Sequence, residues 1–209
     1  MPRGPKERIL KRIEDLQFLI ESLDALRVGL YADIGKVEKT LTELKLKDLP
    51  VSSKRVVAEA RAILEIPKRS PEYKRLEKLN SIANPLLIVG LVGLVIASIV
   101  LVLNLDYTIY LCIMFFVLAS VNIAYIIKVY ISQRISRIYM KHADELELRG
   151  GVLKKAIEHL IVRLRDEIRK LGIDPTTYKL SLRNPDYRGL RVVKKPGLFR
   201  SRYVLSFER

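Results

Sequence analysis

The sequence predicts a mainly α-helical membrane protein with three parts: a two-helix transmembrane hairpin, a cytoplasmic helical bundle or coiled coil, and a small C-terminal antiparallel β module. Three observations lead to this fold class. Two long apolar runs follow each other near the middle of the 209-residue chain, and a heptad pattern covers its N-terminal part. Near the C-terminus a two-residue periodicity replaces the helical spacing.

The two apolar runs, 85–103 and 107–127, contain no Lys or Arg and are separated by only three residues. At about 1.5 Å of rise per residue, helices of this length reach roughly 30 Å, the thickness of the hydrocarbon core of a bilayer. A helix also satisfies its own backbone hydrogen bonds there. Buried core helices of a soluble protein are the alternative, but such helices seldom run this long without a charge. The sequence therefore predicts a transmembrane hairpin over 85–127.

Basic residues flank the predicted hairpin on both outer sides, and none lies in its turn. They are Lys68, Arg69, Lys74, Arg75, Lys78, Lys128, Arg134, Arg137 and Lys141. Because Lys and Arg are enriched in cytoplasmic segments, both termini are expected to be cytoplasmic, in the plasma or inner membrane. Tyrosines near the ends of the spans agree with this placement, since amphipathic rings favour the membrane interface.

The chain has a net charge of +15, and most of the excess lies after the hairpin, where residues 128–209 hold 20 basic against 9 acidic side chains. Its only cysteine, Cys112, falls inside the second apolar run. The composition therefore excludes a disulfide framework and a cysteine-based metal site.

Residues 1–48 carry apolar side chains at alternating steps of four and three, with one interruption at Arg27. The predicted helix-packing seam is Ile13, Leu16, Ile20, Leu23, Leu30, Ile34, Val37 and Leu41. β-Branched residues at a with Leu at d favour two-stranded packing, whereas additional leucines beside the seam widen the apolar face and favour a bundle. Gly29 and Gly35 leave open whether this segment is one helix or a helix pair.

Two further helical segments are predicted around the hairpin. Residues 49–84 should form short cytoplasmic helices that lead to the membrane. Residues 128–172 should form a cytoplasmic helical extension with a break at Gly150-Gly151 and an end at Gly172. The apolar stripe of this extension requires a partner, and the N-terminal heptad helix of the same or a neighbouring chain is the obvious candidate.

Residues 173–209 predict a basic module of about three antiparallel strands, with nine basic against three acidic side chains. Its candidate polyanion-contact residues are Arg183, Arg188, Arg191, Lys194, Lys195, Arg200, Arg202 and Tyr203. Aromatic rings, including Tyr187 and Phe199, are interleaved with these cations. Such a surface can bind RNA through phosphates and stacked bases, or anionic lipid headgroups. A solvated basic surface without a ligand is the third interpretation.

Small and polar residues inside the predicted spans indicate where the two helices approach each other. The candidate contacts are Gly90, Gly93, Ala97, Ser120, Asn122 and Ala124. Small side chains spaced by four residues allow close helix packing, within the hairpin or between copies. Asn122 is expected to face protein rather than lipid, because an amide in hydrocarbon needs a hydrogen-bond partner.

Motifs of catalysis are absent from the sequence, which has no phosphate-binding glycine loop, nucleophile elbow or HExxH pair. His142 and Glu145 could share a helix face, but one histidine and one carboxylate are poor grounds for a metal site. The expectation is a non-enzymatic protein without catalytic residues, metal or cofactor.

No motif identifies a family, so function is inferred from architecture alone. The sequence favours a membrane-anchored cytoplasmic scaffold or adaptor that acts through helical packing and holds a protein partner or a second copy of itself. A membrane tether for RNA or ribosomes, acting through the basic C-terminal module, is the first alternative. A helper for membrane insertion or transport is the second.

Overall fold

The computed structural model describes residues 5–44, 46, 48–103, 106–197 and 200–208. The described residues form six α-helices and three strands: α1 Pro5–Arg27, α2 Ile34–Glu43, α3 Ser53–Glu65, α4 Tyr73–Val102, α5 Tyr107–Lys141, α6 Ala143–Lys170, β1 Lys179–Leu182, β2 Leu190–Lys194 and β3 Tyr203–Phe207. The chain divides into two compact units, which we call the core domain (1–65 and 142–209) and the hairpin unit (66–141).

The core domain is built on the packing of α1 against α6, with α3 also on α6 and α2 on α3. The buried side chains of this packing include Ile13, Leu16, Ile20, Leu23, Val37, Leu41, Leu153, Ile157, Leu160, Leu164 and Ile168. Burial of each contributes roughly 1.5–3 kcal/mol relative to exposure. Most of the predicted seam is therefore covered inside one chain.

The heptad helix divides into α1 and α2 at Gly29, whose φ of 71° is the left-handed conformation that glycine favours. The N–H groups of Gly29 and Leu30 donate to the carbonyls of Leu26 and Ala25, at 2.9 and 3.0 Å, which completes a Schellman motif. Leu30, predicted in the seam, instead lies in the loop and is 39% exposed. Ile34, also predicted in the seam, begins α2 and is half-buried, whereas Val37 and Leu41 further along α2 are buried.

A break also occurs between α5 and α6, but its position differs from the prediction. Gly150 and Gly151 lie inside α6, and the helices are separated at His142. Each glycine costs about 1 kcal/mol of helix stability, which the buried apolar stripe on the rest of α6 outweighs. Helix α6 ends before Gly172, whose φ of 74° fits the predicted terminator.

The hairpin unit consists mainly of α4 and α5, of 30 and 35 residues, which pack against each other and are long and apolar enough to cross a membrane. Gly90, Ala97, Ser120 and Ala124 are buried, and Gly93 is half-buried. A Cβ on Gly90 would lie 2.6 Å from Cγ2 of Val121, and one on Gly93 would collide with Val117. The predicted small residues therefore allow the close approach of the two helices.

Asn122 does not belong to this contact, contrary to the prediction. Its side chain is exposed, and its amide nitrogen donates to the carbonyl oxygen of Leu118, one turn earlier on α5, at 2.7 Å. A hydrogen bond to its own helix gives the amide a partner without a contact to α4.

The C-terminal module is a three-stranded antiparallel sheet, as predicted, with β3 between β1 and β2. The side chains of Leu180, Leu182, Leu190, Leu205 and Phe207 are buried. Because β1 also contacts α1, the sheet is part of the core domain rather than a separate module.

Gly90 lies in the close contact between α4 and α5, whereas Gly151 of α6 has open space around it, and this difference yields a stability prediction. Gly90→Val should lower the free energy of unfolding by about 1–3 kcal/mol, because a branched side chain collides with Val121. Gly151→Val is the matched control: a Cβ at Gly151 meets nothing within 4 Å, so the change should stay within about 0.5 kcal/mol. Thermal unfolding of the full-length protein in detergent measures both, and equal effects would contradict the close packing of α4 on α5.

Candidate functional site

The predicted polyanion-contact residues divide into two groups in the structure. Arg191, Lys194, Lys195 and Arg200, with Arg188 before β2, are exposed. Val192 and Val193 on β2 are also 42% and 44% exposed. Beyond β2, backbone hydrogen bonds of 2.9 and 3.0 Å link Gly197 and Arg200. We call Arg191, Lys194, Lys195 and Arg200 the basic edge, and no described carboxylate forms an ion pair with any of them.

The other predicted contact residues have roles within the fold. The Arg183 guanidinium donates to the carbonyl oxygen of Ser201 at 3.1 Å, and Arg202 lies 3.6 Å from a carboxylate oxygen of Glu21 on α1. Tyr203 is half-buried at the start of β3, opposite Leu182 of β1. These three side chains are therefore less available to a ligand than the sequence suggests.

Tyr187 is 3% exposed, so its ring is not available to stack on a base. Its hydroxyl donates to Oδ1 of Asp24 at 2.6 Å. The same carboxylate accepts hydrogen bonds from the backbone N–H groups of Arg183 and Asn184, and from the Asn184 side-chain amide at 2.9 Å. Asp24 is 1% exposed and has no cationic partner among the described residues. Four donors therefore satisfy its carboxylate and hold the β1–β2 connection on α1.

A second polar cluster lies beside Asp24, around Arg27. The Arg27 guanidinium donates two hydrogen bonds of 2.9 Å to the two carboxylate oxygens of Asp186, and it lies 5.1 Å from the centroid of the Tyr187 ring. Lys154 of α6 adds a 2.8 Å ion pair to Asp186. The cluster thus joins α1, α6 and the β1–β2 connection, and we call it, together with Asp24, the polar network.

The protonation states of this network follow from its contacts. The hydrogen bond from Arg27 holds the pKa of Asp186 well below its usual range, against a smaller opposing effect of burial. Burial and the nearby Asp24 carboxylate raise the pKa of the Tyr187 phenol. Burial lowers the pKa of Arg27, but its bonds to Asp186 and Tyr187 outweigh this and raise it overall. At neutral pH the phenol therefore keeps its proton and acts as a donor.

Both histidines lie outside any metal-binding cluster in the described part of the chain, where no group of three His, Cys, Asp or Glu side chains could hold an ion. Burial, followed by the charge of Arg163, lowers the pKa of His159, which therefore stays mainly neutral at pH 7. The polar network therefore stabilises the fold, and the basic edge is the exposed candidate surface for binding a ligand.

Comparisons with protein-family models, with curated protein sequences and with solved structures found no match to this chain.

Sequence reasoning missed the polar network, although one signal was available. Arg27 interrupts the heptad at a seam position, and an arginine in an apolar seam needs an acidic partner. That partner, Asp186, lies 159 residues further along the chain. Nothing in the local pattern connects the two positions.

Truncation of Asp24 tests the role of the network. Asp24→Ala leaves the Tyr187 hydroxyl and the N–H groups of Arg183 and Asn184 without their acceptor, so the free energy of unfolding should fall by about 3 kcal/mol. Asp15→Ala, at a half-buried position of the same helix, should change it by less than about 1 kcal/mol. Denaturant unfolding provides the measurement. Similar effects of the two variants would contradict the role of Asp24 in holding the β1–β2 connection on α1.

Acid should weaken the Arg27–Asp186 contact. Because the folded-state pKa of Asp186 is depressed, its stabilising contribution is present above the unfolded-state value of about 4 and is lost as the pH falls further. The stability difference between the wild type and Asp186→Asn should therefore be constant from about pH 6 to 8 and shrink below about pH 4. Urea unfolding at a series of pH values measures it; a difference that persists unchanged at pH 3 would count against this pair.

Proposed function

We propose that this protein is a non-enzymatic, two-span membrane protein that anchors a cytoplasmic scaffold domain. The observation that carries the proposal is the exposure of α4 and α5. Large apolar side chains such as Ile88, Leu91 and Phe115 are 61%, 64% and 77% exposed within the chain. Core helices of a soluble protein would bury such surface, whereas a bilayer solvates it favourably.

The pairing of the two chain flanks supports a topology with both termini on one side. The core domain combines residues that precede the hairpin with residues that follow it, chiefly through α1 and α6. Because one folded domain lies in one compartment, the two ends of the hairpin must face the same compartment. The basic flanks of the hairpin favour the cytoplasm.

The architecture also supports a scaffold. The hairpin unit is inserted into the core domain, so two chain connections, near residues 65 and 141, tether that domain to its anchor. The α1 seam is covered by α6, so a protein partner or a second copy would bind another surface of the domain. This suits an adaptor that presents a stable folded surface at the membrane.

A tether for RNA or ribosomes is the second candidate, and the basic edge favours it. Clustered cations attract the phosphates of a nucleic acid whatever its nucleotide sequence. The burial of Tyr187 removes one of the rings that would stack on bases, and Phe199 lies outside the described residues. We therefore rank the tether below the scaffold; a helper for membrane insertion or transport has the least support.

Membrane integration and topology are tested together in cells. The full-length protein should stay in the membrane pellet after alkaline carbonate extraction, and reporters fused at residues 1 and 209 should both read as cytoplasmic. Purification from native membranes should yield a defined complex with a protein partner or a second copy. Extraction by carbonate, or one external terminus, would contradict anchoring by a hairpin; an integrated but monomeric and partner-free protein would contradict the scaffold alone.

A further inference from the structure

Lys128, at the end of the second apolar run, makes an unusual pair of hydrogen bonds. Its ammonium group donates to the side-chain carbonyl oxygens of Asn80 and Asn84, at 2.8 and 2.6 Å. The two asparagines are four residues apart on α4 and therefore share a helix face. Lys128 belongs to α5 and is half-buried, with its ammonium group against α4.

The two amide oxygens fix the position of this cation without neutralising it. Both are uncharged, and in the described part of the chain no carboxylate forms an ion pair with Lys128. A lysine ammonium has three N–H donors, of which these bonds use two. The third donor and the full positive charge remain for an anion, and the neighbouring amide NH2 groups supply further donors.

The surroundings indicate which anion fits. On one side of Lys128 the hairpin unit exposes apolar and aromatic side chains, such as Ile88, Tyr125 and Ile126, which are 61%, 66% and 66% exposed. On the other side α5 continues to Lys141 with three more basic residues and no acidic one. A ligand with an anionic phosphate and long apolar chains matches both halves of this surface.

We propose that Lys128, positioned by Asn80 and Asn84, binds the phosphate of an anionic phospholipid in the cytoplasmic leaflet. This inference rests on the membrane anchoring proposed above. The ammonium donates its third N–H to a phosphate oxygen, and the acyl chains lie on the apolar surface of α4 and α5. Partial burial of Lys128 against α4 shields this contact from water and strengthens it relative to that of a fully exposed lysine.

The test compares lipids on the full-length protein in a neutral detergent. Dioleoyl phosphatidylglycerol should raise the thermal unfolding midpoint more than dioleoyl phosphatidylcholine, because a ligand of the folded state stabilises it. Lys128→Gln keeps a hydrogen-bonding side chain and removes the charge, so the apparent affinity for phosphatidylglycerol should fall about tenfold or more. Lys78→Gln removes an equal charge from an exposed position of α4 and should retain the affinity within about threefold.

Asn80→Ala with Asn84→Ala should also weaken binding, because the charge stays but its positioning is lost. An equal loss of phosphatidylglycerol affinity in the Lys128 and Lys78 variants would show that the lipid is attracted to basic residues in general, and would overturn the proposal. An equal stabilisation by inorganic phosphate would overturn the lipid as ligand and indicate a soluble phosphate instead.

If Lys128→Gln does not fold, the wild type still decides the question. Phosphatidylglycerol with a photoreactive headgroup should label the segments around Asn84 and Lys128, and labelling confined to other segments would refute the site. Carbonate extraction separates this inference from the proposed function. An integrated protein without lipid preference contradicts only the lipid site, whereas a protein released by carbonate contradicts the anchoring.

Discussion

The packing of α1 against α6 is the contact on which the rest of this structure depends, because it joins the chain before the hairpin to the chain after it. Leucine and isoleucine side chains on both helices are fully buried there, and hydrophobic burial is the main favourable term in folding. The contact closes a long loop that contains all of α4 and α5. Its entropic cost grows only slowly with loop length, so the insertion of a hairpin is tolerated. In the proposed topology, this contact keeps both ends of the hairpin in one compartment.

Polar groups make this contact specific. Asp24 is buried and has no cationic partner among the described residues, and Arg27 occupies a seam position that an apolar side chain would ordinarily fill. The β1–β2 connection supplies their partners: Arg183, Asn184 and Tyr187 donate to Asp24, and Asp186 accepts from the two terminal nitrogens of Arg27. A slipped helix register would leave these groups buried and unpaired, at a cost of about 1–3 kcal/mol for each lost hydrogen bond. The network thus couples the sheet to the helices and selects one arrangement among many apolar ones.

The hairpin unit uses its residues differently. Its small side chains lie in the contact between α4 and α5, and many of its large apolar side chains are exposed. Lys128, Asn80 and Asn84 lie where the apolar surface gives way to basic residues. In the proposed bilayer, the small residues pack the two helices against each other, the exposed apolar side chains contact the acyl chains, and Lys128 lies at the headgroups.

The sequence alone determined the elements whose signals are local. Length and hydropathy predicted α4 and α5, periodicity predicted the apolar faces of α1 and α6, and turn residues around 184 and 196 predicted three strands. Two local predictions failed for different reasons. Burial of its apolar stripe outweighs the helix-breaking tendency of Gly150 and Gly151 in α6, and a hydrogen bond within α5 supplies the acceptor that Asn122 was expected to find on another helix. Only the tertiary structure decided that the seam is covered within one chain and that Tyr187, in the β1–β2 connection, is buried against α1. The physical reason is distance along the chain, since Asp24 and Asp186 acquire their roles from partners about 160 residues away, which no local pattern specifies.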